Sequence, residues 1–575
     1  MIKEFTLNET NAILNFSVKY CDTQKEILDS VGFNKVLNRY IARIIEDEGN
    51  LANFISEFPQ KEVDEVLTQM FKLLLVMSVD EVSKLDSKYA YFLNDRKQLH
   101  ELVEGLYGFW RHFERYGVVQ SKIRANGIQN VNFIEETSTF NNLVLKLYRT
   151  ILENIIGGGQ RVYRQLAAGI NAGLVINDMR WELPKGYECL RNIAVIDSIV
   201  LRPPFITYSK KNTRKGTYKE IDYNPLEELK LTANHWYCYP AYIGESLAYV
   251  YFHRDYMCHG VSLCNLFQLA KYEDYEGKKP DIIYVFGARK ENYKEHSYFH
   301  HDKVNDIYVG VAYHTDEIDY FGYMKKMMLT LHNVRMIDKG GLPTHGAMVN
   351  ITMKDGKEAN IVIIGDSGAG KSESLDALSS ISKDYLKEMK VIFDDMGTLK
   401  FKDGKILGYG TEIGAFVRLD DLDTGYAYRE MDRAIFMNPN KVNSRLIMPN
   451  TAYEDVVKGY KVDILLYANN YMDEGSDIHF FSNKTDAINT FRLGRRRAKG
   501  TTSEEGIVES YFANPFGPVQ RQEQCEVLLD QYFSKLFEDN IPVGEMYTKL
   551  AVPGAEQKGP KAAAIQLFEW IKNAK

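Results

Sequence analysis

The segment from Gly365 to Ser372, Gly-Asp-Ser-Gly-Ala-Gly-Lys-Ser, constrains the fold of this 575-residue chain more than any other feature. It matches the pattern GxxxxGK[S/T] and follows directly on the apolar run Ile361–Ile364. The glycines let the backbone curl so that its N–H groups face a polyphosphate, and a following helix adds its partial positive charge. The pattern therefore predicts a strand, a phosphate-binding loop and a helix, with ATP or another nucleoside triphosphate as the ligand.

Each residue of this loop has an expected part in binding the nucleotide. Lys371 places a positive charge on the β- and γ-phosphates, and the Ser372 hydroxyl is a ligand for Mg²⁺. A glycine-rich turn that merely caps a helix would not need the lysine. A second acidic group is expected at the end of a nearby strand, where Asp394 and Asp395 close the apolar run Val391–Phe393. The predicted nucleotide-binding residues are Gly365, Asp366, Ser367, Gly368, Ala369, Gly370, Lys371, Ser372 and Asp394.

Composition narrows the class of protein further. The 71 Lys and Arg residues against 78 Asp and Glu residues give a net charge of −7, so no overall positive field attracts nucleic acid or anionic lipid. No apolar stretch approaches the roughly 20 residues of a membrane span. The six cysteines are scattered without a CxxC pair, as expected where thiols stay reduced. We expect a cytoplasmic protein that binds neither nucleic acid nor membrane.

The spacing of the apolar residues changes along the chain. Apolar residues recur at helical spacing in 34–48, 62–77, 96–117 and 140–158. Short apolar strands are predicted at 191–201, 281–288 and 306–313, and a hairpin turning at Lys354-Asp355-Gly356 is predicted within 347–365. A helix is expected from Ser372 to about Lys390, and amphipathic helices are expected at 522–540 and 560–575. The first part of the chain is therefore predicted to be all-helical.

Several separated stretches around the loop resemble the ATP-dependent phosphoenolpyruvate carboxykinases. The upstream segment 319–350 carries a tyrosine, a Met-Lys-Lys triplet and a histidine, with Lys326 and His345 19 residues apart. Downstream, the segment YGTEIGAF around Glu412, the triplet Asn443-Ser444-Arg445 and the segments YFANPFGP and AVPGAEQKGPK follow in the family's order. The likeness covers roughly residues 280 to 575.

This resemblance implies an α/β fold with a two-lobed carboxykinase-like P-loop core of mixed sheets, preceded by the all-helical region. The implied domains are a helical region at 1–180, a substrate-side lobe at 181–330 and a nucleotide-binding lobe at 331–575. The implied reaction converts oxaloacetate and ATP to phosphoenolpyruvate, carbon dioxide and ADP, with Mg²⁺ and Mn²⁺ as cations. A lysine ligates a metal only as the neutral amine, so this role needs a depressed lysine pKa.

The resemblance also assigns residues. The implied metal ligands are Lys326, His345 and Asp395 for Mn²⁺ and Ser372 for Mg²⁺. Arg445 is expected to bind phosphate or carboxylate, and Tyr320 and Ser367 to line the pocket for a small dicarboxylate. The implied catalytic residues are Lys326, His345, Lys371, Asp395, Arg445, Tyr320, Ser367 and Arg202.

Departures from the family leave the phosphoryl acceptor open. The loop reads GDSGAGKSE, which is similar to the loop of HPr kinase/phosphorylase, a bacterial protein kinase. The family's carboxylate-binding stretch TGRSPKDK is absent, and the nearest candidates for its arginine are Arg202 and Arg214. The alternatives are therefore a kinase of a protein serine or small hydroxyl compound, and a non-catalytic nucleotide-sensing scaffold. In the scaffold, the helical region would bind a protein partner or a second copy.

Two other clusters contain side chains of the kind found in binding sites. His253, Cys258, His259 and Cys264 suggest zinc, but they lack paired CxxC or HxxxH spacing, so buried residues without a metal are expected. The run Arg495–Lys499 is basic, and we expect it to flank the polyphosphate or to lie on a solvated loop.

Overall fold

The computed structural model is a mixed α/β protein that divides into two compact units. The first unit comprises 1–179, 192–205 and 233–237, and the second comprises 180–191, 206–232 and 238–575. The structure describes residues 3–58, 62–121, 128–158, 168–214, 217–366, 368–381, 385–419, 422, 425–498, 506–556 and 558–573. Within these residues, no helix is both long enough and apolar enough to cross a bilayer.

The first unit combines helices with five strands of a mixed sheet. Its helices are Gln24–Leu28, Val31–Glu46, Asn50–Ser56, Val63–Leu74, Val79–Val82, Ser87–Asn94, Arg96–His112 and Ile128–Ile156. Its strands, in sheet order, are Phe5–Leu7, Asn11–Asn15, Glu114–Gln120, Ala172–Asp178 and Ala194–Leu201. The two central pairings are parallel and the two outer pairings are antiparallel.

The prediction of an all-helical N-terminal region is therefore wrong. The predicted helix 96–117 ends at His112, and the chain continues as the strand Glu114–Gln120. This strand pairs with Asn11–Asn15 on one side and with Ala172–Asp178 on the other. Tyr116 and Val118 are buried in it, so long-range pairing and burial override the local helical spacing.

One sheet of the second unit contains three adjacent parallel strands, Ser246–His253, Ile282–Ala288 and Ile307–Tyr313. Ser297–Asp302 pairs antiparallel with the last of them. The helix Phe321–Asp338 follows this sheet and is buried along almost its whole length. The other strands that contribute residues to the first part of this unit are Trp236–Ile243, Gln268–Leu269 and Lys219–Glu220, and its other helices are Met257–Ser262 and Tyr272–Tyr275.

The phosphate-binding segment belongs to an eight-stranded mixed sheet. Its strands, in sheet order, are Tyr460–Lys461, Lys405–Gly410, Leu386–Lys402, Leu342–Met353, Glu358–Ile364, Ile464–Asn469, Val543–Tyr547 and Ile478–Phe480. Smaller strands are Phe205–Thr207, Gly414–Arg418, Ile435–Met437, Arg445–Pro449, Arg495–Arg497 and Ile507–Glu509. The accompanying helices are Lys371–Ile381, Tyr426–Arg429, Tyr453–Val457, Lys484–Leu493, Gln522–Glu538 and Lys558–Asn573.

Several predicted elements are confirmed here, and one boundary is corrected. The hairpin forms between Leu342–Met353 and Glu358–Ile364, with Gly356 in the left-handed region at φ 88°. The helix after the loop ends at Ile381 rather than near Lys390. Residues from Leu386 onward already pair with Leu342–Met353, so the strand begins earlier than predicted. The expected lobe boundary between 330 and 331 falls inside the helix Phe321–Asp338.

Candidate functional site

The phosphate-binding loop lies between the strand Glu358–Ile364 and the helix Lys371–Ile381, in the predicted order. The Gly365 N–H donates to the His345 carbonyl across 2.9 Å, which fixes the start of the loop to the neighbouring strand. Lys371 is buried, and its Nζ donates to the carbonyls of Gly365 at 2.6 Å and Asp366 at 3.1 Å. The lysine thus folds back over the loop.

Neighbouring elements hold the rest of the loop. The Thr548 hydroxyl donates to the Ala369 carbonyl at 2.6 Å, and Asn470 Nδ2 donates to the Gly368 carbonyl at 3.0 Å. Gly370 has φ 93°, and a Cβ there would lie 2.6 Å from Thr548 Cβ. Glycine is therefore required at this position. Ser367 lies outside the described residues.

Asp366 ties the loop to the basic run noted in the sequence. Arg496 Nε donates to Asp366 Oδ2 at 2.7 Å, and both side chains are mostly buried. The strand Arg495–Arg497 pairs with Ile507–Glu509, and Arg495 forms an exposed ion pair with Glu509. The run therefore does flank the loop through Arg496, while Lys499 lies outside the described residues.

The structure brings Lys326, His345 and Asp395 together. Lys326 Nζ lies 2.7 Å from Asp395 Oδ2, and His345 Nε2 lies 2.9 Å from Asp395 Oδ1. His345 and Asp395 lie on adjacent antiparallel strands, where Asp395 is registered opposite Gly346. Lys326 comes from the helix Phe321–Asp338. Three side chains from distant parts of the sequence therefore meet at one carboxylate.

Lys325, next to Lys326, forms a second and more deeply buried ion pair. Its Nζ lies 2.6 Å from Asp395 Oδ2 and 2.8 Å from Glu412 Oε1. The side chains of Lys325 and Glu412 are only 1% and 3% exposed. Burial works against the charge, but the two carboxylates raise the pKa of Lys325 above its ordinary value. Lys325 is therefore an ammonium that neutralises two acids.

The protonation states of the converging groups suit a divalent cation. Burial lowers the pKa of the Lys326 amine, and burial also lowers the pKa of the His345 imidazole. Burial works against ionisation of Asp395 as well, yet the Lys325 and Lys326 charges hold the pKa of its carboxyl well below the ordinary range. These shifts make the amine and the ring easier to deprotonate and keep Asp395 a carboxylate, which is the direction that metal binding needs.

The hydrogen bonds of His345 also bear on this fit. Its Nδ1 donates to the Ala513 carbonyl at 2.7 Å, since a carbonyl only accepts. In the neutral ring, Nε2 then carries a lone pair that faces the Asp395 carboxylate at 2.9 Å. Two acceptor atoms at this distance repel unless positive charge lies against both of them. The donor set therefore fits a cation held by Lys326, His345 and Asp395.

Asp394 lies beside Ser372, at the end of the phosphate-binding loop. The Ser372 hydroxyl donates to its Oδ1 at 3.3 Å. Burial raises the pKa of Asp394 to about 6, so its carboxyl is ionised at neutral pH. Ser372 and Asp394 together offer the hydroxyl and carboxylate oxygens that Mg²⁺ prefers.

Two phenyl rings pack against cationic side chains beside the cluster of Lys326, His345 and Asp395. The Phe416 ring lies 5.6 Å from Lys325 Nζ and 5.3 Å from the Arg445 guanidinium, and Tyr320 packs against it. The Phe516 ring lies 4.8 Å from Lys326 Nζ and 4.4 Å from the Arg214 guanidinium. Burial raises the pKa of Tyr320, although Arg445, Lys325 and Arg214 act against this shift. Arg445, Tyr320 and Arg214 therefore lie with the lysines.

Arg202 is not brought into this group. It belongs to the first compact unit, where its Nη2 donates to the Ser138 hydroxyl at 2.8 Å and the Ile134 carbonyl at 3.3 Å. Of the two arginines named from the sequence, only Arg214 contacts an aromatic ring that also contacts Lys326.

Sequence reasoning gave no role to Lys325, Phe416 or Phe516. A signal for Lys325 was present, because the doublet Lys325-Lys326 shares one buried helix. Two lysines buried together need acidic partners, which points to Asp395 and Glu412. Nothing in the local sequence marks the two phenylalanines, since their importance comes from pairings across the fold.

No family model matches the chain, and no curated protein matches it.

Proposed function

We propose that the protein is a carboxykinase-like phosphotransferase that converts oxaloacetate and ATP to phosphoenolpyruvate, carbon dioxide and ADP. The observation that carries the proposal is the convergence of Lys326, His345 and Asp395 close to the phosphate-binding loop. The backbone links the two parts directly, because the His345 carbonyl accepts the Gly365 N–H. The proposed fold is the two-lobed P-loop core of that family.

In this proposal, Lys326, His345 and Asp395 hold Mn²⁺, while Ser372 and Asp394 hold Mg²⁺ with the nucleotide. The two ions, when bound, neutralise charge on the phosphates and on the oxygen that attacks phosphorus. The side chain of Lys371 binds the phosphates once it leaves the loop carbonyls. Asp366 is held by Arg496 and keeps the loop in position.

In this proposal, cationic side chains bind the carboxylate substrate. Loss of carbon dioxide from oxaloacetate leaves an enolate, whose oxygen forms the new bond to the γ-phosphorus as the bond to ADP breaks. Arg445 and Arg214, each packed on a phenyl ring, orient the anionic substrate. Lys325 remains charged and stays paired with Asp395 and Glu412 behind the metal ligands.

The test is a coupled assay of phosphoenolpyruvate formation from oxaloacetate and ATP, with Mg²⁺ and Mn²⁺ present. We expect Lys326→Ala and Lys371→Ala to lower kcat by about 100-fold or more. Arg214→Met is expected to raise KM for oxaloacetate while leaving ATP binding unchanged. Lys405→Ala replaces an exposed lysine in the same unit and serves as the control.

The alternatives give different results in a second assay with labelled ATP and a cell extract. A kinase of a protein serine or small hydroxyl compound would transfer label to that acceptor and form no phosphoenolpyruvate. A nucleotide-sensing scaffold would bind ATP without turnover of any acceptor. Either result would overturn the carboxykinase proposal.

A further inference from the structure

A second cluster of ligand-type side chains lies at the carboxyl ends of the three parallel strands of the second unit. His253 is the last residue of Ser246–His253, and His314 directly follows Ile307–Tyr313. Asp255 lies two residues after His253. The carboxyl edge of parallel strands is a common place for ligand sites, because side chains from several strands converge there.

The three side chains are spaced for a metal ion. Asp255 Oδ2 lies 3.1 Å from His253 Nδ1 and 3.0 Å from His314 Nε2. One ligand atom from each residue falls within 4.8 Å of the other two. In a tetrahedral site with bonds of roughly 2.0–2.1 Å, neighbouring ligand atoms are about 3.3 Å apart. The two spacings from Asp255 therefore already match this distance, and the third lies within 4.8 Å.

Polar and charged groups surround the His253 nitrogen that faces the cluster. Its Nδ1 lies 3.3 Å from the backbone N of Asp255, a contact at the long end of the hydrogen-bond range. The same nitrogen lies 3.1 Å from the Asp255 carboxylate. Arg289 Nη2 lies 3.7 Å from Asp255 Oδ2, on a side chain that is 76% exposed. Asp255 therefore already attracts positive charge from an exposed side chain at this position.

The surrounding fold positions the cluster. The central strand contains Gly287 one residue before its end, with a φ of 94°, and a Cβ there would lie 2.6 Å from the Tyr256 ring. Tyr256 packs against the His314 ring, and its hydroxyl donates to the Thr315 carbonyl at 3.1 Å. His253 is nearly buried, whereas Asp255 and His314 are about one-third exposed. One side of the cluster therefore stays open to solvent.

We propose that His253, Asp255 and His314 form a binding site for Zn²⁺ or a similar divalent transition ion, with three protein ligands and a fourth position open to water. Imidazole and carboxylate donors in this number are typical of exchangeable zinc sites. This site is separate from the Lys326 cluster and does not depend on the proposed function.

The test measures Zn²⁺ binding by equilibrium dialysis on the full chain carrying His345→Ala, which removes a ligand of the other site. We expect one Zn²⁺ per chain, and Co²⁺ in its place is expected to give a visible band of four-coordinate geometry. His314→Ala and Asp255→Asn should each weaken binding by at least about tenfold. His479→Ala changes an exposed histidine and should leave binding unchanged.

Arg289→Gln supplies a change in the opposite direction. Removing this positive charge should tighten Zn²⁺ binding by about threefold, an effect that a purely structural role would not produce. Asp255→Asn keeps the size of the side chain, and circular dichroism checks that each variant is folded. Absence of bound Zn²⁺, or an affinity that neither His314→Ala nor Asp255→Asn changes, would overturn the proposal.

Discussion

Replacing Lys325 by methionine should destabilise the second unit strongly. Lys325 is 1% exposed and is the ammonium partner of both Asp395 and Glu412. Methionine fills a similar volume but leaves Glu412 buried without a cation, while Asp395 keeps Lys326. Removing one partner of a buried ion pair costs about 3–5 kcal/mol, so we expect a loss of this size at pH 8.

The same geometry predicts how the loss is recovered. Burial raises the pKa of Glu412, so its carboxyl takes up a proton most easily once Lys325 is gone. The loss in Lys325→Met should therefore shrink between pH 8 and pH 6. Adding Glu412→Gln removes the unpaired charge and should restore about 2 kcal/mol at pH 8.

Urea unfolding followed by circular dichroism measures these differences. Lys326→Met is the matched control, because it removes the other lysine that contacts Asp395 but leaves Lys325 in place. It should cost about 2 kcal/mol while abolishing activity. A loss below about 1 kcal/mol for Lys325→Met, or a double variant no more stable than the single, would refute the reasoning.

Three further predictions follow from other contacts. Because burial raises the pKa of Asp394 to about 6, Mg²⁺-dependent ATP binding should weaken as the pH falls through that value, and calorimetry that shows a flat profile would contradict this. Gly370→Ala forces a Cβ to within 2.6 Å of Thr548 at φ 93°, so ATP affinity in a filter-binding assay should drop at least about tenfold, whereas Gly356→Ala, at an open turn, should not change it. Burial lowers the pKa of His332 to about 3, so the unfolded chain binds more protons than the folded chain between about pH 6.5 and 3. The free energy of unfolding should therefore decrease as the pH falls through this range. His332→Gln should make the midpoint of thermal denaturation depend less steeply on pH.

The sequence predicted what depends on local spacing. The order of strand, loop and helix around Lys371 and the hairpin at Gly356 follow from short patterns, and both are present. The strand Glu114–Gln120 was missed because its partners, Asn11–Asn15 and Ala172–Asp178, lie far away in the chain. Local periodicity carries no information about such partners.

The candidate site divides in the same way. Lys326, His345 and Asp395 were grouped by resemblance to a family, and their order along the chain was enough to choose them. Arg202 and Arg214 could not be separated, because each lies in a short polar context with no marker of its position. The Phe516 ring, which contacts both Arg214 and Lys326, distinguishes them only in three dimensions.

The backbone holds some side chains of the candidate site more firmly than others. His345 and Asp395 sit on hydrogen-bonded neighbouring strands, so the distance between imidazole and carboxylate is fixed as firmly as the ladder itself. Lys325 and Lys326 both lie on the single helix Phe321–Asp338. An axial shift of that helix would move the Lys326 amine and the Lys325 ammonium away from Asp395 together. His345 and Asp395 would stay in register but would lose both lysine contacts.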